Sequence, residues 1–530
     1  MSQFVQSSRF SFARSKAENG FTRTELVVET VEEMRGEAPI NASPLATFIH
    51  LSDLHVCDSK SPARIEFLDR YADPDYETRA LIDYVGTYRP QEFLTLQVVE
   101  AMVRSANSIQ SGPLLGGSVD GVLITGDVID NGQANELQWY LNLLEGGEVS
   151  SASGDASTVE AAHGTHPNFQ DDHYYKPDSS NELRTNRNWG MVASPGLAQA
   201  AQAPFSATGL SHSWFAIHGN HDAMLQGMVS PTAELNDLVT GSHKLNGVAA
   251  GVDPRDVFAK FSEEGPADYP DRDLLTSVTV TPDPDRRFIQ LDEWVSSHVD
   301  CGHDHGLSEG QASAYWTRDF GEVRVIALDT VNEAGGWQGC IDAVQFVWLR
   351  NLLDESTDKY VVLTSHHPLQ DLFNEFSVEG KPKPHLRAEV EALLAGHRNI
   401  VAWVSGHVHD HNISFQKSEQ GDWGFWQIRT GSHMDWPQQS RVIEIARTED
   451  SRIVIGTQVF DHAGKSFLKL ADTGNLTSDD LENPLALAGV SRILAANDWQ
   501  RFSGSNSLEI LEGTPHDRNA WLWLKDPLLN

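Results

Sequence analysis

The chain is poor in cysteine: three in 530 residues, Cys57, Cys301 and Cys340. An odd trio cannot build a disulfide framework, which excludes a cystine-stapled secreted scaffold and suits a reducing compartment. Long hydrophobic runs are missing too. The longest, such as YVVLTS and NIVAWVS, fall far short of the roughly 20 residues that a membrane-crossing helix needs. The opening MSQFVQSSRFSFARSKAENG has neither the apolar core of a leader nor a pair of adjacent arginines, so a cytoplasmic location is expected. Basic charge is scarce: 39 Lys and Arg against 75 Asp and Glu leave a formal charge of −36. Such a surface repels phosphate backbones and argues against a nucleic-acid partner. A site that handled phosphate here would need its own positive charge, and bound metal supplies it.

What is present is ample core material: 40% hydrophobic residues, with 14 Trp and 22 Phe, enough for a packed globular interior. The length exceeds one simple core, so one large domain with insertions, or two to three domains, is expected. Residues 1–45 read as a polar arm, with the amphipathic stretch ELVVETVEEM, ending in APINASP. The main domain is expected over 46–460, and 461–530 as a C-terminal extension. Within the main domain, short apolar runs at 46–51, 120–126, 214–219, 323–329, 359–365 and 400–406 alternate with helical patterns at 90–108, 134–145, 342–355 and 386–396. That alternation is the signature of a layered α/β (α+β) fold, its strands covered on both faces. Runs at 424–430, 441–447 and 452–460 look like one antiparallel sheet face. Two stretches break the rhythm, about 146–210 and 223–320, and read as insertions.

Chemistry-bearing residues stand directly after the predicted strands. The first runs into Asp53-Leu54-His55, the second into Gly126-Asp127, the third into Gly219-Asn220-His221-Asp222. The strand at 359–365 runs into His366-His367-Pro368, and that at 400–406 into Gly406-His407-Val408-His409. Taken singly, each piece reads equally well as a turn or a cap. Loops at the carboxyl ends of neighbouring strands converge in space, which is where open α/β sheets bind ligands. Five such pieces in order therefore point to one site. Imidazoles, carboxylates and an amide without thiolate suit Mn, Fe or Zn ions rather than a structural zinc. Two ions close together need a bridging carboxylate, and Asp127, on a central strand, is the candidate.

As a set, these five pieces resemble the motifs of the calcineurin-like metallophosphoesterase superfamily, over roughly residues 46–411. Unusually long segments separate Asp127 from Asn220 and Asp222 from His366, as in a long-insert bacterial branch. The resemblance implies an αββα sandwich, two mixed β-sheets flanked by helices. It implies two divalent or trivalent metal ions, the first held by Asp53, His55, Asp127 and His409, the second by Asp127, Asn220, His366 and His407. His221, backed by Asp222, would contact the phosphate or the leaving oxygen, and His367 would stand behind the ligands or on the substrate side. Asp130 occupies the place of a tyrosinate ligand found in some relatives, so no purple charge-transfer colour is expected. The implied reaction is hydrolysis of a small phosphate ester, mono- or diester, by a water activated between the ions. A cyclic-nucleotide or phospholipid phosphodiesterase, a nuclease and an inactive metal-bound module are the other readings. The charge speaks against the nuclease, and the intact motif set against the inactive module.

A second Gly-His-x-His, at 302–305, duplicates the spelling at 406–409. It follows no buried strand and precedes the HHP motif, so it reads as a decoy inside the second insertion. Asp58 and Asn131 suit either orienting or turn roles, and Asp329, at a strand end, a supporting or structural one. DDHYYKP (171–177) and RTNRNWG (184–190) offer aromatics and arginines that would either grip a substrate or decorate a loop.

Overall fold

The computed structural model describes the chain except for residues 1–6, 17–21, 74–75, 77–85, 180–182, 263–268, 270, 301–304, 419–420, 502–506 and 530. Two six-stranded mixed sheets form its centre. In the first, the order is β10 (Trp316–Phe320), β11 (Val323–Leu328), β12 (Tyr360–Ser365), β13 (Ile400–Ser405), β15 (Gly424–Arg429) and β14 (Asn412–Lys417). The middle four strands run parallel, and the edges, β10 and β14, are antiparallel to their neighbours. In the second, the order is β18 (Ala520–Lys525), β17 (Arg452–Asp461), β16 (Gln439–Thr448), β3 (Ala42–Leu51), β4 (Gly121–Ile124) and β7 (Trp214–Ala216). Here β3, β4 and β7 are parallel, and β16, β17 and β18 antiparallel.

The apolar runs are continuous because the strands are covered on both sides. Along β11, Val323, Val325 and Ala327 join the cluster that includes Phe48, Ile443 and Ile445 of the other sheet. Ile326 and Leu328 join Leu349, Leu353, Val390 and Leu394 of the helices Ala343–Glu355 and Arg387–Leu394. This is the period-two alternation of a pleated strand between two apolar layers. Helices α1 (Thr95–Ser108) and α2 (Ala134–Glu145) supply Leu96, Val99, Met102, Leu137 and Tyr140 to the core of the second sheet. The αββα layering expected from the motifs is therefore what the chain adopts.

Two details differ from the sequence pattern. The run at 424–430 does not pair with 441–460; it forms β15 in the first sheet, beside β13, because alternation reports burial and not the partner. Much of the stretches 171–177 and 184–190 is packed into the interior. Tyr175 and Trp189 are buried, Trp189 stacks on Trp499 at 5.8 Å, and the Lys176 ammonium donates to the carbonyls of Ala162, Gly164 and Phe169. Arg184 pairs with Asp73 at 3.0 Å. Burial of the apolar bodies of Tyr175, Lys176 and Trp189 explains the position.

The remaining strands form two-stranded antiparallel pairs: β1 (Ser8–Lys16) with β2 (Thr22–Val31), β5 (Glu148–Val149) with β6 (Phe205–Ser206), and β8 (His243–Val248) with β9 (Leu275–Thr279). The two insertions meet at one buried carboxylate. Asp58 accepts from Ser153 at 2.8 Å and from Arg286 at 3.2 Å, which anchors both insertions to the loop that carries His55. After residue 460, the helix Pro484–Ala495 brings Ala488 against Val98 and Ala101 of α1, and β18 extends the second sheet. Among the described residues, no helix is long and apolar enough to cross a membrane.

Candidate metal centre

The candidate ligands stand where β3, β4, β7, β12 and β13 end. Their backbones are unusual. Of the nine non-glycine residues with left-handed φ among the described residues, five are candidate ligands: Asp53 (51°), His55 (45°), Asp127 (48°), His407 (69°) and His409 (63°). Each such residue costs about 1–3 kcal/mol, and strain of this kind collects where function fixes the geometry. Two glycines allow the close approach. A Cβ on Gly219 would lie 2.3 Å from Asp127 Oδ1, and one on Gly406 1.8 Å from Ser52 Oγ.

The side chains converge in two groups that share one oxygen. In the first, His55 Nε2 and His409 Nε2 are 3.0 Å apart, and His409 Nε2 lies 3.4 Å from Asp53 Oδ1. Asp127 Oδ2 is 3.9 Å from His55 Nε2. In the second, His366 Nε2 lies 3.2 Å from Asp127 Oδ2, 2.9 Å from Asn220 Oδ1 and 3.1 Å from His407 Nδ1. The outward contacts fix which atoms face inward. His366 Nδ1–H donates to the Thr125 carbonyl at 2.8 Å, leaving Nε2 with its lone pair inward. Asn220 Nδ2 donates to the Gly227 carbonyl at 3.0 Å, so its oxygen turns in. His55 Nδ1 meets Asp130 Oδ1 at 3.0 Å, and His409 Nδ1 meets Asp435 Oδ2 at 2.6 Å.

Lone pairs aimed at one another about 3 Å apart repel unless a proton or a metal ion sits between them. Two nitrogens bound at about 2.0–2.1 Å to one ion sit at about this separation. The donor set therefore fits borderline metal ions, and carboxylates behind the ligating histidines are a regular feature of such sites. The electrostatics agree. Burial would lower the His366 and His409 imidazoles, but Asp127 raises the first to about 9, and the bonds to Asp435 and Asp53 raise the second to about 9. Burial would raise Asp127, yet the His366 and His221 imidazoles hold its carboxyl well below the usual range. Without an ion the centre takes up protons, so metal ions must compete with them.

His221 donates its backbone N–H to Asp127 Oδ1 at 2.8 Å and Nδ1–H to the Asp130 carbonyl at 3.0 Å. Its Nε2 then faces the centre, 4.0 Å from Asp127 Oδ2. The expected backing by Asp222 is not what holds this ring. Asp222 is buried, and its oxygens accept from the backbone N–H groups of Val128, Ile129 and Gly219. Those bonds fix the loops that carry Asp127 and Asn220, and the ring is held by Asp130. His367 has no free nitrogen for an ion: Nε2–H donates to the Trp337 carbonyl at 2.9 Å, and Nδ1 accepts from the Thr330 hydroxyl at 2.8 Å.

Asp130 and Asp435 are the residues that the motifs do not contain. The Asp130 carboxylate is gripped by the buried Arg64, which also pairs with Glu92 at 2.9 Å. Asp435 is clamped by Arg89 and Arg501, each at 2.8 Å. The signal for Asp435 is faint: an acid after a strand, in GSHMDWP. Asn131 and Asp58 serve the loops, Asn131 bonding Glu136 and Asp58 the insertions. Asp329 lies 3.5 Å from His218 and lines a cleft of about 650 Å³ with Asp222, Tyr315, Asn332 and Phe376. In the other Gly-His-x-His, Cys301, His303 and Asp304 lie outside the described residues. His305 is buried and stacked on Trp214 at 3.5 Å, at the start of β7, whereas Asn220 follows its end.

With this geometry in place, the comparison with protein families is decisive. The calcineurin-like phosphoesterase family model matches residues 46–411, and the chain belongs to that family. It is thus a metal-dependent phosphoester hydrolase in its general class. No curated protein matches the chain.

Proposed function

We propose that the chain hydrolyses a small phosphate ester at a dinuclear metal centre. The first ion is held by Asp53, His55, Asp127 and His409, and the second by Asp127, Asn220, His366 and His407. The observation that carries this reading is the pair of inward-facing donor groups sharing Asp127 Oδ2. Ions held there supply Lewis acidity for the phosphoryl oxygens and acidify the attacking water. The chain's own residues do the rest. Asp130 aims the His221 ring, whose Nε2–H donates to the phosphoryl group and gives its proton to the departing ester oxygen. Burial lowers the His221 imidazole, but the Asp127 and Asp130 carboxylates together outweigh it and raise the ring above its ordinary value, as a proton donor requires. The −36 charge favours a small ester over a nucleic acid. The test is Mn-dependent hydrolysis of p-nitrophenyl phosphate and bis-p-nitrophenyl phosphate, whose ratio divides monoesterase from diesterase. Activity is expected in the loaded wild type and not in Asp127→Ala. His221→Ala is expected to keep its metal and lose about 10²–10⁴-fold in kcat. Equal rates with and without metal would contradict the proposal.

A further inference from the structure

Of the 14 tryptophans, Trp337 alone among the described residues is exposed, at 42%. It stands in the loop between β11 and the helix Ala343–Glu355, and its indole lies parallel to the His407 ring, 6.0 Å away with a 16° interplanar angle. Phe373, 48% exposed, meets it edge-to-face at 5.6 Å. Phe373 follows the His366-His367-Pro368 motif, so both rings rise from the rim that carries the candidate ligands.

The backbone beneath this pair is pinned while the rings are left in water. The buried Asn374 donates from Nδ2 to the carbonyls of Gly335 and Gln338, both at 2.9 Å. It accepts at Oδ1 from Asn332 at 2.7 Å. Gly335 and Gly336 take φ of 95° and 91°, which a side chain would strain. The Trp337 carbonyl itself holds His367. A loop fixed this firmly to the metal-site motif, with an indole left uncovered, is built to present that indole.

We infer that Trp337, with Phe373, is the specificity shelf for the organic group of the substrate, and that this group is a flat aromatic ring. The inference rests on the proposed phosphoesterase reading. The shelf is continuous with the candidate centre through His407, and aromatic faces favour offset-stacked rings over aliphatic chains. An aryl ester and a nucleoside ester share this chemistry.

The test is calorimetric binding to the Mn-loaded full chain, which needs no turnover. Three non-hydrolysable probes are compared: phenylphosphonate, the 5′-methylenephosphonate of adenosine, and propylphosphonate. At least one ring-bearing probe is expected to bind about tenfold more tightly than the propyl compound, the worth of one stacked base. Which one does so separates aryl from nucleoside. In Trp337→Ala that advantage is expected to shrink to twofold or less, and Trp337→Phe to restore most of it. No ring preference in the wild type overturns the shelf, as does an equal loss for all three probes in Trp337→Ala, which would mark Trp337 as support for His407. If the wild type hydrolyses p-nitrophenyl esters but shows no ring preference, only the shelf falls. If it binds none of the probes and cleaves no ester, the phosphoesterase reading falls with it.

Discussion

Each half of the candidate centre carries two histidines, but the halves are supported differently. Around Asp53, His55 and His409, each histidine leans on a carboxylate, Asp130 or Asp435, and each carboxylate is clamped by arginine. Around Asn220, His366 and His407, the His366 ring leans on a backbone carbonyl, and the amide replaces a charged ligand. A carboxylate behind an imidazole makes it a more basic ligand and fixes its orientation. The first half also owns a full negative charge in Asp53, whereas the second has only its share of Asp127. On the proposed dinuclear reading, the first position is expected to hold its ion more tightly and the second to exchange first.

Removing the shared ligand erases the comparison altogether. Asp127→Ala is expected to abolish stoichiometric metal at both positions and to lower kcat/KM by about a thousandfold or more, since each ion supplies several kcal/mol of charge stabilisation. Elemental analysis beside the rate assay checks this. Asn220→Ala breaks the two halves apart: the purified variant should retain one ion per chain, with affinity at the second position reduced beyond the 10–100-fold that an outer-shell change costs. Asp435→Asn tests the other half. Metal should still load at saturation, but chelator titration should show the tighter ion weakened about 10–100-fold, which brings the two positions closer together. Weakening of the looser ion instead would reverse the assignment. The smallest effect belongs to Thr330→Val, which touches neither half. It removes a partner of the buried His367, costs about 1–3 kcal/mol in denaturant unfolding, and should leave two ions per chain.

Much of this arrangement is legible in the sequence, for a local reason. Each motif sits within a few residues of an apolar run, and a buried strand followed by a polar cluster is visible in one window of sequence. What was hidden is non-local. Asp435 lies 26 residues beyond His409, and its clamp joins Arg89 to Arg501; no spacing rule links those positions. Asp130 was visible as an acid beside a motif, but its grip on His55 and His221 depends on how two loops pack. Similarly, the run that forms β15 reads as an alternating strand, yet alternation says nothing of which sheet receives it. In sequence, the aromatics at 171–190 read equally as substrate contacts or as loop decoration. Only packing against Trp499, more than 300 residues further on, shows that they belong to an interior.

The most direct test of the account is anomalous diffraction from crystals of the Mn-loaded wild type. Two peaks are predicted about 3.5–4 Å apart, on either side of Asp127 Oδ2, with the one between Asp53, His55 and His409 at the higher occupancy after brief chelation. A single peak away from Asp127, or none in a folded and loaded protein, would contradict the dinuclear centre on which the rest depends.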